Sequence, residues 1–459
     1  MRILKQALDH HESQNDPKSS IGIALLVSGL AATAQTPPTL KVLYTFSRVG
    51  GTPTAFTEVS PGKFLGIIAT SPGLFSITSD RTYDSLYYFP PNPSGITALG
   101  LAPALNSRTY GTATNMGPTL TFSELFAVAT SGSVIIYPYQ QASAGLLVQA
   151  PDNQLYGFYG AVGGPSQFSR FDYQGTTTPL DNFTPAQGTV YVLVLGADGN
   201  FYGLSLMNNT TNAGIFRLTA KGSFSWVVPS FSTGTYGVAG YRIGLIQASN
   251  GKFYGTVPQG GSANAGSIYE ADLNGNMRTV YEFPQLTGGI PETLLQASDG
   301  MLYGTARGPY LVSQSSSIFR LNPSTGEFTT IYGPLGPNQG SCECQMIQAS
   351  HGKPYGVAQN GGTYGGGTVF MLDAGLPPPK PSVGLFVPSS GSAAQRILLW
   401  GRNLLGATAV AFNGTAAAQF QVASNQGIWV DVPPGATIGP ITVTTPNGSY
   451  TTPQTFQIQ

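Results

Sequence analysis

Apolar and polar residues alternate along most of this chain in short runs broken by Gly, Asn, Asp and Pro, the pattern of many short β-strands. One run recurs. LVQAPDNQLYG (147–157), VLGADGNFYG (194–203), LIQASNGKFYG (246–255), LLQASDGMLYG (295–304) and MIQASHGKPYG (346–356) align on a closing Tyr-Gly pair, and FTEVSPGKFLG (56–66) and LAPALNSRTYG (101–111) are weaker copies. The anchor residues are Leu65, Tyr110, Tyr156, Tyr202, Tyr254, Tyr303 and Tyr355, at successive spacings of 45, 46, 46, 52, 49 and 52. A near-constant period of this size means one structural unit repeated.

The fifth copy shows the unit best. GLIQAS (244–249) predicts an apolar inner strand, and Asn250-Gly251 a hairpin turn needing φ > 0. KFYGTV (252–257), SIYEAD (267–272) and MRTVYEF (277–283) predict the second, third and fourth strands, with a Gly-rich loop over 258–266 and a turn at Asn274-Gly275. Four strands per repeat of about 40–50 residues is the sequence signature of a propeller blade. The seventh copy stops after three strands, at Leu372. KVLYTF (41–46) resembles the fourth strand TVYEF (279–283), so the N-terminal strand is expected to complete blade seven and leave no open edge. The expectation is an all-β protein, a seven-bladed β-propeller over 41–373. A Pro-rich stiff linker follows over 374–382. Residues 383–459 alternate in strand fashion over the length of an immunoglobulin-like β-sandwich, with Trp400 and Trp429 expected in its core.

Composition supports this class. Charged residues are 9% of the chain, with 60 Gly, 35 Pro, 23 Tyr and 24 Phe, as suits short strands joined by turns. Twenty basic and twenty acidic residues balance, and no Lys/Arg cluster stands out, which argues against nucleic acid or an anionic membrane as partner. At the N-terminus, Lys18 precedes an apolar run over 21–30 and then Ala32-Thr33-Ala34, which reads as a signal peptide over 1–34 cleaved near Ala34. The apolar run is shorter than a membrane span. The mature chain is therefore expected to be secreted, periplasmic or at the cell surface, without a membrane span.

Candidate chemistry is sparse. After cleavage His351 is the sole histidine, at a tight-turn position, so a Ser-His-Asp triad is not expected. The Asp-Gly and Asn-Gly pairs read as turns rather than calcium loops, because the several acidic ligands at fixed spacing are missing. No metal site, cofactor or catalytic residue is assigned. Cys342 and Cys344 flank Glu343, and three alternatives stay open: a strained disulfide, two free thiols, or ligands of a soft metal. Tight turns connect strands one to two and three to four at one end of the repeat, and longer loops lie at the other end. Function concentrates on long loops held by a rigid frame. The ligand-binding candidates at that end are Tyr159, Tyr236, Tyr241, Arg242, Glu292, Arg307, Tyr310 and Tyr364, beside the two cysteines. Aromatics with isolated charges point to a glycan or an extracellular protein as ligand. The alternatives are a non-catalytic display scaffold, or a propeller lyase or glycoside-active enzyme using carboxylates, with Glu58 and Glu292 near the start of inner strands.

Two resemblances follow from these motifs. Residues 41–373, through Tyr303-Gly304-Thr305 and Gly361-Gly362 to Phe370, resemble the bacterial GloVer-type tandem repeats, which implies an exported, propeller-like protein. Residues 381–459 resemble the IPT/TIG domain on Pro388 to Gly391, Gly401-Arg402-Asn403-Leu404, Val410 to Gly414, Val432-Pro433 and Gly439 to Val443. That implies an immunoglobulin-like interaction or spacer module. Neither resemblance supplies catalytic residues, and no anchor-like segment follows the sandwich.

Overall fold

The computed structural model describes residues 37–459 apart from 49, 70–71, 90–95, 117–120, 140–143, 160–166, 208–211, 234–243, 285–288, 309–315 and 341–344. The expected signal segment 1–34 lies outside the described residues, as do Tyr236, Tyr241, Arg242, Tyr310, Cys342 and Cys344. Among the described residues every regular element is a β-strand. No helix there is long and apolar enough to cross a membrane.

Between residues 39 and 373 the strands form seven four-stranded antiparallel sheets. Six are consecutive meanders. Sheet 1 starts at Pro53, sheet 2 at Ile96, sheet 3 at Ala144, sheet 4 at Thr189, sheet 5 at Leu245 and sheet 6 at Ile290. Sheet 7 takes Gln345–Gln348, Pro354–Ala358 and Gly365–Asp373, and its fourth strand is the N-terminal Thr39–Ser47. That strand pairs antiparallel with Gly365–Asp373 in the register Val42↔Phe370 and Tyr44↔Val369. The first strands of successive sheets are neighbours all the way round, sheet 7 meeting sheet 1, so the sheets close a circuit. In sheet 5 the strands are Leu245–Gln247, Phe253–Val257, Ser267–Ala271 and Met277–Glu282, each slightly shorter than the sequence pattern suggests.

The repeated Tyr-Gly pair has a packing cause on each side. The Tyr rings are buried, and three of them pack on a Phe ring of the next sheet. Tyr156 meets Phe201 at 4.6 Å, Tyr202 meets Phe253 at 4.5 Å, and Tyr355 meets Phe64 across the closure at 4.3 Å. Except at Gly157, which faces Ser169, the following Gly leaves room for a third-strand ring. A Cβ at Gly203, Gly304 or Gly356 would overlap Phe216, Phe319 or Phe370. The Asn250-Gly251 turn has the expected positive φ, at its glycine. Only Gly251 (φ 80°) is left-handed, and its N–H donates to the Ala248 carbonyl at 2.9 Å, closing a longer turn.

Residues 382–458 form two sheets sharing one core. Val383, Phe386, Ile397, Leu399, Ile428 and Val430 face Val410, Phe412, Ile441, Val443 and Phe456. Trp400 and Trp429 are outside this core, contrary to expectation. They project from the opposite face of their strands into a separate cluster with Leu105, Leu195, Leu385, Leu398 and Ala423. The Trp429 indole N–H donates to the Leu105 carbonyl at 2.8 Å. The sandwich is therefore docked on the tight turns of the ring. Gln421 donates to Ser107 Oγ (3.0 Å, sheet 2), Arg402 to the Gln247 carbonyl (3.4 Å, sheet 5) and Asn447 to the Ser350 carbonyl (2.6 Å, sheet 7).

The segment 374–382 is likewise no free spacer. The Pro377 carbonyl accepts from Ser298 at 2.5 Å and from Gln348 at 3.3 Å, and the Pro379 carbonyl accepts from Asn447 at 3.2 Å. Proline stiffness lets the chain lie flat across the turns, and its carbonyls, which lack competing local N–H donors, take side-chain partners from them.

Candidate functional site

At the tight-turn end the one-to-two turns and the anchor tyrosines hold each other's polar groups. The turn residue four positions before each anchor Tyr holds the Tyr hydroxyl. Tyr156 donates to Asp152 (2.5 Å), Tyr202 to Asp198 (2.8 Å) and Tyr303 to Asp299 (2.9 Å). Asn106 and Asn250 donate to Tyr110 and Tyr254, and His351 Nε2 lies 3.0 Å from the Tyr355 hydroxyl. The Oδ1 of the same Asp or Asn, not used by the Tyr hydroxyl, caps its own turn, as where Met301 N–H meets Asp299 at 3.1 Å. These Asp-Gly pairs serve turns. Among the described residues no three His, Cys, Asp or Glu side chains group to hold a metal ion. Burial pushes the Tyr110 and Tyr355 hydroxyls up to about 12, so both stay protonated and able to donate.

A second belt links the sheets. The Gln that ends the first strand accepts an N–H from the previous sheet's turn. Gln247 takes Ala197 (2.7 Å), Gln296 takes Ser249 (2.7 Å) and Gln348 takes Ser298 (2.8 Å). In sheet 1 this place is Glu58, which accepts from Ser350 N–H at 2.7 Å across the closure, from Ser350 Oγ at 2.9 Å and from Gly62 N–H at 2.8 Å. Glu58 therefore sits at the end of its strand, not near its start. It stands at the opposite end of the ring from Glu292 and forms no carboxylate pair with it.

The long-loop end holds the remaining candidates. Glu292 is buried in the first strand of sheet 6. Its carboxylate accepts from Thr305 Oγ1 at 3.5 Å, and its carbonyl accepts from Thr256 Oγ1 of sheet 5 at 2.5 Å. Arg307 ends the second strand of the same sheet, paired with Ile290 and half-buried. Tyr364 is 66% exposed in the connection before the third strand of sheet 7. Tyr159 ends the second strand of sheet 3, and its side chain is outside the described residues. The structure thus gathers Glu292, Arg307 and Tyr364 at one end of adjacent sheets, with Tyr159 three sheets further round.

Arg48 escaped the sequence reading. Its N–H donates to the Tyr364 carbonyl at 3.3 Å, and its side chain is exposed beside Gly365. The signal for it was its place just after the closing strand, which puts residue 48 at the long-loop end once the ring shuts.

Residues 192–376 match the Gloeobacter/Verrucomicrobia repeat. No curated protein matches the chain. Among solved structures, virginiamycin B lyase from Staphylococcus aureus superposes with a TM-score of 0.52 at 13% identity, covering 73% of this chain and 99% of that one. A fungal alcohol oxidase in complex with copper gives 0.48 at 10% identity (92% and 98% covered), and TolB from Acinetobacter baumannii gives 0.37 at 12% identity (57% and 59%). Likeness at such identities concerns the fold alone. By sequence over 192–376 and by fold over most of its length, the chain is similar to propeller-like repeat proteins.

Proposed function

We propose that this chain is an exported, extracellular or cell-surface binding protein. In this reading a seven-bladed β-propeller, shut by its N-terminal strand, recognises a glycan or an extracellular protein through its long-loop face. An immunoglobulin-like sandwich of IPT/TIG type caps the other face. The carrying observation is the division between the two ends. The turn end is occupied by the sandwich and by residues 374–382, which take several of its polar groups as partners. The opposite end presents Tyr364 and Arg48 in turns that flank the paired strands of sheet 7, with Arg307 at the same end of the adjacent sheet. An aromatic face with neighbouring cations suits a sugar ring or a peptide, where stacking supplies area and charge supplies orientation.

A glycan and cell-wall-fragment array, with a surface-protein capture in parallel, tests this reading on the full chain. The expected result is specific binding that falls about tenfold or more in Tyr364→Ala while the melting temperature holds. No binding by the wild-type chain on either platform would leave the scaffold reading in its place. The enzyme reading rests on Glu292, a carboxylate buried at the same end. Turnover of a bound glycan that is abolished by Glu292→Gln would favour it over simple binding.

A further inference from the structure

Between the outer strands of neighbouring sheets the fold makes a recurring notch. Its walls are the ends of the third and fourth strands of one sheet and the three-to-four turn of the next. Between sheets 1 and 2 a side chain fills it, Lys63 donating to the Thr130 carbonyl of that turn at 2.9 Å. Between sheets 5 and 6 the filler is Arg278, which donates to the Pro323 carbonyl of the turn at 3.4 Å and to Glu270 at 2.7 Å. Between sheets 2 and 3 the ring of Tyr173 stacks on Tyr110 at 5.3 Å.

Between sheets 4 and 5 the notch is open. The position of Arg278, paired with the third strand, is taken by Ser225, which pairs with Arg217 as Arg278 pairs with Glu270. A serine is too short to cross the gap. What remains is a cavity of about 230 Å³ lined by Asp198, Arg217, Ser225, Trp226, Leu273 and Asn274, among others. That is below the roughly 300–1,000 Å³ of pockets for drug-sized ligands, so it suits one small molecule.

Its polar groups are of two signs and they are available. The Leu273 carbonyl stands where Thr130 and Pro323 each receive a cationic N–H, and among the described residues no donor reaches it. Beside it the Asp198 carboxylate takes Asn200 and Tyr202, which leaves capacity for a further donor. The Arg217 guanidinium makes no hydrogen bond or ion pair among the described residues, whereas its counterpart Arg320 pairs with Asp299 at 3.5 Å. Trp226 and Leu273 supply the apolar wall.

We propose that this notch binds a small zwitterion of the α-amino-acid type. Its ammonium replaces the Lys63 or Arg278 nitrogen at the Leu273 carbonyl and Asp198. Its carboxylate pairs with Arg217, a bidentate fit for a planar anion, with the Ser225 hydroxyl and Asn274 amide adjacent. A ligand of one sign would meet an unneutralised partner: a simple cation leaves Arg217 opposed, and a simple anion leaves Asp198 opposed.

The common L-α-amino acids, each added singly to the full chain, are followed by saturation-transfer NMR and by titration. At least one binds, and its amide (ammonium only) and N-acetyl form (carboxylate only) each bind about tenfold or more weakly, the loss of one charge-assisted bond. Ser225→Arg copies sheet 5, fills the notch and abolishes binding. Arg217→Gln and Asp198→Asn each weaken binding by about tenfold or more with the melting temperature held, since Asn already occupies the turn position at Asn106 and Asn250. The proposal falls if no amino acid binds, if the singly charged analogues bind as well as the zwitterion, or if Arg217→Gln and Asp198→Asn leave the affinity unchanged.

Discussion

Sheets 4 and 5 are built on one plan and differ in how they hold their charges. In sheet 4 an acid sits in the turn (Asp198) and a base in the third strand (Arg217). In sheet 5 both are exchanged: the turn carries Asn250 and the third strand Glu270, which Tyr254, Lys252 and Arg278 all reach. The anchor hydroxyl follows the acid, donating to Asp198 in one sheet and to Glu270 in the other. The buried tyrosine hydroxyl thus finds an acceptor in either arrangement. The choice decides whether the notch beside it is closed by the chain's own side chain or left open. A repeat fixes the scaffold and leaves such polar positions free to diverge.

The comparison breaks most completely if the ring itself opens. Deleting residues 39–47 strips the fourth strand from sheet 7, exposes the edge of Gly365–Asp373 and removes the buried Leu43 and Phe46. The expected outcome on thermal melting is loss of a cooperative transition, or a fall of more than about 10 °C, because several strand bonds and two core side chains go together. A smaller break separates the cap from the ring. Leu105 is buried under Trp429 and Leu398, and Leu105→Ala is expected to cost about 2–4 kcal/mol. Calorimetry is expected to show the sandwich and the ring melting apart.

The smallest effect sharpens the contrast between the two sheets directly. Burial alone would raise the Glu270 carboxyl, but hydrogen bonds from Arg278, Lys252 and Tyr254 outweigh it and hold it at about 2 against an ordinary 4.5. A depressed folded value stabilises the protein above the ordinary value and loses that contribution as pH falls toward 2. Since Lys252 and Arg278 are 42% and 50% exposed, solvent screening limits the effect to about 1 kcal/mol. Glu270→Gln is expected to lower the neutral-pH melting temperature by a few degrees and to flatten its fall below pH 4.5.

Much of the architecture was legible because each fingerprint residue does a local task. The Asx-Gly pair closes a turn, the anchor Tyr reaches back four residues, and the following Gly makes room for a ring in the adjacent strand. Such interactions repeat with the unit, so their period shows in the chain. The segment 382–458 was legible as two-sheet alternation. Its docking was not, although Ile397-Leu398-Leu399-Trp400 carried a sign of it: an unbroken apolar run in a strand means burial on both faces. Reading Trp400 and Trp429 as core residues missed that a sandwich strand has a second face with its own partner.

The sequence by itself determined the repeat, its four strands and the strand that closes the ring, since hydrophobic period and turn chemistry act between near neighbours. Only the tertiary structure decided that Glu58 bonds across the closure to Ser350, that the sandwich and residues 374–382 cover the turn end, and that the notch beside Arg217 stays open. Each of these depends on side chains far apart in sequence meeting at one point, and neither spacing nor composition encodes where the ring brings them.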